Sequence, residues 1–239
     1  MVERRFVVEG PQAVREALGT LLELFTTDPA HPLAVQAAAQ GVAVTHVDEV
    51  VLAALGETVH PQGLVGVAPL LGVPMTTALA GAPRLVAVLH EVADPGNAGT
   101  VIRTADAAGA DAVLITGEAV DVHNGKCVRS SAGSLWHLPL VTGSSVQEAF
   151  AALRAAGLQV LATTGSGEDD LEALQDDGQL DAPTAWVVGS EAHGLPPDVL
   201  GAADRRVRVP LRGRAESLNV ATAAAVCLYA SARAHRSAR

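Results

Sequence analysis

Residues 84–116, RLVAVLHEVADPGNAGTVIRTADAAGADAVLIT, decide the fold of the larger part of this chain. The apolar runs 85–89 and 112–116 predict two buried strands. Between them, a helix is predicted from about Thr100 to Ala108, stopped at Gly109. A strand, a helix and a strand at this spacing predict a βαβ unit with parallel strands. The loop 94–99 then follows a strand end, where open α/β sheets bind ligands.

The same alternation continues on both sides of this unit. Towards the C-terminus, strands are predicted at 112–116, 159–162, 184–188 and 206–209, with helices at 146–156 and 218–234. Towards the N-terminus, strands are predicted at 6–8, 21–26, 42–44 and 64–68, with helices at 12–18, 33–40 and 49–55. We expect a small α/β domain over residues 1–72, a Gly- and Pro-containing linker over 73–83 and a second α/β domain over 84–239.

The composition indicates a protein with a sizeable core that resides in a reducing compartment. Of the 239 residues, 49% are hydrophobic and only 3% aromatic, so the core must be built from Ala, Val and Leu. Cys127 and Cys227 lie far apart without metal-ligand spacing, which favours two small buried hydrophobes over a disulfide or a metal site. The N-terminus has no apolar signal-peptide segment, and no apolar run is long enough to span a bilayer. We therefore expect a cytoplasmic, soluble protein.

The net charge of −10 argues by itself against a nucleic-acid partner, but the charges are unevenly distributed. Seven acidic residues crowd positions 168–181 and predict a solvated acidic stretch. Five arginines crowd positions 205–214, namely Arg205, Arg206, Arg208, Arg212 and Arg214. This window has two interpretations, a patch that contacts phosphates and a solvated strand edge, because screening makes local charge matter more than the sum.

Three loops that follow predicted strands could carry chemistry. In the first, Asn97 and Gly99 are placed at the entrance of a helix, where free backbone N–H groups favour an anion that Arg103 could also reach. The alternative is an Asn-Gly turn that caps the helix, with Arg103 on a solvated face. The second loop, residues 189–194, has the glycine spacing of a P-loop. Leu195 and Pro196 replace the required Lys and Ser/Thr, which excludes a nucleotide triphosphatase of that type.

The remaining features of these loops also have two interpretations. Glu191 either faces a reacting group between two glycines or lies exposed in a tight turn, and His193 is more typical of a loop residue than of a catalyst. In the third loop, residues 210–221, Ser217 and Asn219 either cap a helix or converge on a ligand. Each signal alone is unspecific, whereas their order along one chain is specific.

The ordered motifs Asn97-x-Gly99-x-x-x-Arg103, Gly189-Ser190-Glu191-x-x-Gly194 and Ser217-Leu218-Asn219-Val220 resemble the three motifs of the SpoU (TrmH) family of the SPOUT superfamily. Residues 126–134 resemble the family's connecting segment. Residues 6–10 and 58–63 are similar to the small substrate-binding domain of relatives, although the basic helical extension that many carry upstream is absent. The resemblance covers about Arg84 to Ala234 of the catalytic part.

This resemblance implies a trefoil-knotted SPOUT catalytic domain, with a parallel sheet flanked by helices, behind a small N-terminal α/β substrate-binding domain. It implies a homodimer and S-adenosylmethionine as co-substrate, without a metal. The expected catalytic residues are Asn97, Arg103, Glu191, Ser217 and Asn219. The expected cofactor-binding residues are Thr163, Gly165, Gly167, Gly189, Val209, Leu211 and Leu218. Arg129, Arg212 and Arg214 are expected to contact RNA.

The implied reaction is methylation of a ribose 2′-hydroxyl of RNA. Because arginine stays protonated at ordinary pH, we expect Arg103 to anchor a phosphate, with Glu191 or an RNA phosphate as the proton acceptor; the arginine itself remains an alternative. Asn97, Ser217 and Asn219 would orient the ribose and hold the loops together. 23S ribosomal RNA is favoured because a separate substrate domain is expected, and transfer RNA is the alternative.

The sequence disfavours two other classes of protein. A dinucleotide-dependent oxidoreductase is disfavoured because residues 96–99 lack the G-x-G-x-x-G spacing and no acidic residue ends the strand at Thr116. A non-catalytic RNA-binding or dimerisation module is disfavoured because the polar set of the three motifs is complete.

Overall fold

A computed structural model describes residues 4–58 and 61–237, which form two β-sheets with their helices. The strands of the first sheet are β1 (Arg5–Glu9), β2 (Glu23–Thr26), β3 (Ala43–His46) and β4 (Leu64–Pro69). They lie in the order β1-β4-β2-β3. The β1/β4 and β2/β4 pairs are antiparallel, and the β2/β3 pair is parallel. Its helices are α1 (Pro11–Ala17), α2 (Pro32–Ala39) and α3 (Glu49–Leu55). Val59 and His60 of the quoted 58–63 segment, and the outermost residues of the two expected domains, lie outside the described residues.

The second sheet is parallel throughout and has the order β7-β6-β5-β10-β8-β11-β9. Its strands are β5 (Leu85–His90), β6 (Ala112–Thr116), β7 (Leu140–Ser144), β8 (Gln159–Thr163), β9 (Asp169–Asp170), β10 (Thr184–Val188) and β11 (Arg205–Arg208). The helices that accompany it are α4 (Met75–Ala78), α5 (Pro95–Ala107), α6 (Gly125–Ser130), α7 (Val146–Ala155), α8 (Leu171–Asp176), α9 (Pro197–Ala202) and α10 (Val220–Ser237). The predicted α/β class is therefore confirmed.

The strand alternation buries both faces of the second sheet. Along β5, Leu85, Ala87 and Leu89 pack into one apolar cluster, whereas Val86 and Val88 pack into another on the opposite face. This two-sided burial explains why the central strands have continuous apolar sequences. Helices α5, α6 and α10 cover the first cluster, and α7 covers the second.

The cysteine interpretation is confirmed. Cys127 and Cys227 are both free and fully buried. Burial raises the pKa of each thiol to about 12, so both remain protonated and unreactive at neutral pH. Within the described part of the chain, no helix is long and apolar enough to cross a membrane.

Several boundaries differ from the predictions. Helix α5 begins at Pro95 rather than near Thr100, because Asp94 caps it and proline suits the first helical position. The segment predicted as a linker contains α4, and the N–H of Val73 donates to the carbonyl of Leu140, so this segment packs along the second sheet. The short helices α6, α8 and α9 were not predicted, since helices of six residues show little periodicity.

The two sheets are joined through α6 and the turn that follows it. The ring of Phe6 lies 4.8 Å from the His123 ring and 6.0 Å from the Trp136 ring, centroid to centroid. The indole Nε1 of Trp136 donates to the hydroxyl of Thr20 at 3.2 Å. These contacts fix the N-terminal sheet against the second one.

His137 adds a charged contact to the same junction. Its Nδ1 lies 2.7 Å from a carboxylate oxygen of Asp106 on α5, and its Nε2 lies 3.2 Å from a carboxylate oxygen of Glu16 on α1. The hydrogen bonds to Asp106 and then to Glu16 raise the pKa of His137, against a smaller opposing effect of burial. The imidazolium therefore bridges the two parts of the chain.

We predict that this bridge makes stability depend on pH. Because the folded-state pKa of His137 lies above its ordinary value of 6.5, its stabilisation is complete below that value and is lost as pH rises through the raised pKa. The side chain is 42% exposed, so His137→Gln should lower Tm by only about 1–3 °C at pH 6, and by less at pH 9. Thermal unfolding at the two pH values measures the difference. Equal losses at both would contradict an ionic bridge.

Candidate functional site

The loops after β5, β10 and β11 meet at the carboxyl edge of the second sheet. Glu191, in the loop after β10, accepts three hydrogen bonds from the loop after β5. The N–H of Ala93 donates at 3.1 Å, the N–H of Asp94 at 3.2 Å, and the side-chain Nδ2 of Asn97 at 2.9 Å. The first two motifs are thus joined through one carboxylate.

Asn97 also connects to the third motif. Its Oδ1 accepts a hydrogen bond from Nδ2 of Asn219 at 3.0 Å. The Oδ1 of Asn219 accepts from the N–H groups of Ala221 at 2.9 Å and Thr222 at 3.3 Å, so Asn219 caps the start of α10. A continuous chain, Glu191–Asn97–Asn219, therefore crosses all three loops, and the expectation that these loops come together is confirmed.

Of the two interpretations of the first helix entrance, the hydrogen bonds favour a capped helix over a free anion site. The N–H of Asn97 donates to Oδ1 of Asp94 at 2.8 Å and is not free for a ligand. Gly99 lies in the second turn of α5, where an added Cβ would lie 2.0 Å from Oγ of Ser130 and 2.5 Å from the carbonyl oxygen of Cys127. This glycine is required for the close packing of α5 on α6, not for binding an anion.

The hydrogen bonds and the lowered pKa of Glu191 are typical of a carboxylate that holds loops in place, not of a general base. Partial burial raises the pKa of Glu191, but hydrogen bonds from Asn97, from its own main chain and from Ala93 and Asp94 outweigh that effect and lower the pKa. Both carboxylate oxygens are occupied by donors. A carboxylate in this state has little tendency to take a proton at neutral pH.

The loops after β8, β10 and β11 line a cavity of about 520 Å³, within the range of small-molecule sites, whereas Asn97 and the rest of the loop after β5 are not among its lining residues. Glu191, Ser217 and Asn219 of the expected catalytic set line it. Six of the seven expected cofactor residues line it as well: Thr163, Gly165, Gly189, Val209, Leu211 and Leu218. The seventh, Gly167, does not; it packs against β11, where an added Cβ would lie 2.6 Å from the carbonyl oxygen of Arg206.

The sequence reasoning missed several lining residues. Thr164 and Glu216 line the cavity, and so does His193, which was interpreted as a plain loop residue; Ser190 and Gly194, which were quoted only as motif residues, line it as well. All of these positions are within two residues of a residue that had been singled out, so extending each motif by its neighbours would have found them.

Arg103 and Ser217 stand apart from the hydrogen-bond chain. Arg103 is exposed on α5 and is not among the lining residues. Neither side chain has a hydrogen bond or ion pair within residues 4–58 and 61–237. Both groups are therefore available to a ligand.

The arginine-rich window is mostly paired with the acidic stretch, a contact that the sequence did not predict. Strand β11 runs beside β9, with Val207 opposite Asp169. This register places the arginines of β11 next to acidic residues of the neighbouring segment. Ion pairs join Arg205 to Asp169 at 3.3 Å, Arg206 to Glu168 at 2.9 Å, Arg208 to Asp170 at 3.2 Å, and Arg212 to Glu172.

The three arginines expected to contact RNA are placed differently. Arg129 pairs with the buried carboxylate of Glu9 at 2.5 Å, and Arg212 pairs with Glu172. Arg214 is exposed and has no ion pair within the described part of the chain. Of these three charges, that of Arg214 is the freest to meet a phosphate.

Comparison with known families finds two matches. Residues 84–229 match the model of the SpoU rRNA Methylase family. Residues 7–71 match a model described as RNA 2′-O ribose methyltransferase substrate binding.

Comparison with individual proteins agrees with these matches. The chain is 36% identical over 231 residues to the 23S rRNA (guanosine(2553)-2′-O)-methyltransferase RlmP of Bacillus subtilis, covering 94% of this chain and 87% of that protein. An AdoMet-bound rRNA methyltransferase from Sinorhizobium meliloti superposes with a TM-score of 0.84 at 33% identity, covering 96% and 87% of the two chains. The SpoU methyltransferase AviRb from Streptomyces viridochromogenes, in complex with AdoMet, superposes with a TM-score of 0.84 at 28% identity, covering 99% and 92%.

Gly189 gives a test of the close packing at the cavity. An added Cβ there would lie 2.5 Å from the carbonyl carbon and oxygen of Gly194 and 2.7 Å from the nitrogen of Leu195. We predict that Gly189→Ala costs about 1–3 kcal/mol, or about 2–10 °C in Tm, because backbone atoms must move.

The matched control is Gly165→Ala. Gly165 lines the same cavity, but an added Cβ would meet nothing within 4 Å and its φ is not positive. Its Tm should stay within about 2 °C of the wild type, since the substitution also restricts the unfolded chain. Equal losses in both variants would show that the approach of residues 189 and 194 is not the constraint.

Proposed function

This chain belongs to the SpoU rRNA methylase family, and we propose that it transfers a methyl group from S-adenosylmethionine to a ribose 2′-hydroxyl of 23S ribosomal RNA. The observation that carries the proposal is the Glu191–Asn97–Asn219 chain, which joins the three family motifs beside one cavity that residues of the second and third motifs line. Relatives that span most of this chain are named as 23S rRNA 2′-O-methyltransferases, which favours ribosomal over transfer RNA.

The cavity suits S-adenosylmethionine in shape and charge. Glycines 165, 189 and 194 leave main-chain groups accessible in its wall, and Leu195, Val209 and Leu218 provide an apolar surface for an adenine ring. Glu191 and Glu216 place two carboxylates at the same wall, which complements a sulfonium cation. When bound, S-adenosylmethionine supplies an activated methyl group on that sulfonium.

The polar residues of the chain act by positioning. Asn97 donates to Glu191 and accepts from Asn219, so its amide fixes the distance between the first and third motifs. Fixed loops allow a bound methyl donor and a ribose oxygen to be brought into line, and alignment supplies much of the rate of a displacement reaction. Glu191 serves as the anchor of this arrangement.

Arg103 and Ser217 are the groups that we assign to the RNA. The unpaired guanidinium of Arg103 would hold a phosphate next to the target nucleotide through its planar fork of donors. The hydroxyl of Ser217, which lines the cavity without an internal partner, would hydrogen-bond the ribose. Because the pKa of Glu191 is lowered, an RNA phosphate is the better candidate for the proton acceptor than Glu191.

The domain division follows the same logic. Residues 1–72 would form the RNA substrate-binding domain and 84–239 the catalytic domain, supported by family matches over 7–71 and 84–229. Arg214 is the best-placed of the expected RNA contacts, because Arg129 and Arg212 are engaged in ion pairs. The cytoplasm is the proposed location, in keeping with ribosomal RNA as substrate and two buried free thiols.

A homodimer and a trefoil knot also belong to this proposal. Val226 and Tyr229 on α10 and Leu211 in the third loop are exposed apolar side chains, and Leu211 and Val226 line one groove next to the cavity; a second copy would cover them. Arg103 does not line the cavity of its own chain, and a second copy could bring it to a shared site. The knot is supported by the path of the chain, which leaves β11 near one sheet edge and returns to pack α10 on β10 and β5.

Methyl transfer from labelled S-adenosylmethionine to 23S rRNA tests the function. We predict label on a ribose, seen as one alkali-resistant dinucleotide, for the wild type. Label on a base, or no transfer, would contradict the proposal. Arg103→Lys should lower kcat/KM at least about tenfold, because a point charge replaces a fork of hydrogen bonds.

Arg236→Lys is the control, since Arg236 is exposed in the last turn of α10 and outside the proposed site. Circular dichroism would establish that both variants fold. Near-full activity of Arg103→Lys would reject the fork requirement while leaving the reaction itself intact.

A further inference from the structure

Arg208, the last residue of β11, differs from the other arginines of its window in what it contacts. Its Nη1 donates to the main-chain carbonyl of Gly167 at 2.9 Å and to that of Glu168 at 3.1 Å. Its Nη2 lies 3.2 Å from a carboxylate oxygen of Asp170. One guanidinium thus contacts residues 167, 168 and 170 of the segment that follows β8.

The segment held by Arg208 leads directly into the wall of the cavity. Thr163, Thr164 and Gly165, just before Gly167, line the cavity on one side. Val207 and Val209, the two neighbours of Arg208, line it on another. The N–H of Thr164 also donates to the carbonyl of Val207 at 3.0 Å, so the two wall segments share a backbone bond and a side-chain clamp.

The neighbouring arginines do not have this arrangement. Arg205 pairs with the Asp169 side chain at 3.3 Å. Arg206 forms a two-point contact with the Glu168 carboxylate, and its one main-chain contact, at 3.5 Å, goes to Leu200 on α9. Among the three arginines of β11, Arg208 alone donates hydrogen bonds to main-chain oxygens of residues 164–168 within the described chain.

We propose that Arg208 is a positioning residue for the methyl-donor site, which it shapes by fixing the 163–168 segment against β11. The inference rests on the proposed function, since it takes the cavity as the place where S-adenosylmethionine binds. The clamp needs the geometry of arginine, because one terminal nitrogen contacts two carbonyls while the other contacts a carboxylate. Arg208 itself does not line the cavity, so it acts through the loop.

Calorimetry of S-adenosylmethionine binding, without RNA, tests this assignment. For Arg208→Met we expect a Kd raised about tenfold, because two charge-assisted bonds that hold the wall are lost. Arg208→Lys should recover part of the affinity, since an ammonium can reach one carbonyl. The matched control is Arg206→Met, two residues away on the same strand. The Arg206 side chain is 37% exposed and that of Arg208 is 41% exposed. The Kd of this control should stay within about twofold of the wild-type value.

Steady-state kinetics supply a second readout that a general loss of stability would not produce. KM for S-adenosylmethionine should rise in Arg208→Met, while KM for RNA and kcat at saturating donor stay within about twofold of wild type. Equal Kd for Arg208→Met and wild type would overturn the inference, and so would equal weakening by Arg206→Met. Absence of binding by the wild type would instead reject the proposed function.

Discussion

The site depends on one hydrogen-bonded chain from Glu191 through Asn97 to Asn219. It joins residues that are 94 and 122 positions apart in sequence, so no local preference of the backbone could bring them together. The chain ties the three loops to one another at the edge of the sheet. The carboxylate of Glu191 accepts donors from one loop, and the amide of Asn97 is fixed at both its nitrogen and its oxygen. The cavity wall therefore has a defined shape before any ligand is bound.

Much of the fold could be predicted from the sequence because its signals are local. The continuous apolar strands of the second sheet and the position of α3 were found from hydrophobic patterning. The start of α5 was missed although its signals were present, with Asp94 at the cap and Pro95 at the first helical position. The Asn-Gly pattern was given more weight than these two residues.

What could not be predicted depends on register between distant strands. The arginines of β11 meet the acids of residues 168–172 only because β9 adds to the sheet beside β11, and a two-residue strand leaves no sequence pattern. The sequence left Gly99 between an anion site and a helix-capping turn, whereas in the structure it allows α6 to pack closely on α5, which no spacing reveals. The expected catalytic residues were found by resemblance, and the structure adds how three of them hold one another.

An acidic protein can still bind RNA through a few exposed arginines. Most of the arginine-rich window is already paired with acids, so the positive charge left for phosphates lies in a few unpaired side chains such as Arg103 and Arg214. The N-terminal sheet is fixed to α6 through Phe6, Trp136 and the Glu9–Arg129 pair, so the two parts would present their RNA surfaces in one geometry. Recognition would then depend on shape and placement more than on overall charge.

The most direct test of the central claim is a double-mutant cycle on S-adenosylmethionine affinity with Asn97→Ala, Asn219→Ala and the double variant. If the hydrogen-bond chain holds the cavity closed, each single substitution should weaken binding, and the double variant should be little weaker than either, with a coupling of about 0.5–3 kcal/mol. Additive losses, or wild-type affinity in Asn97→Ala, would contradict the claim that this chain shapes the site.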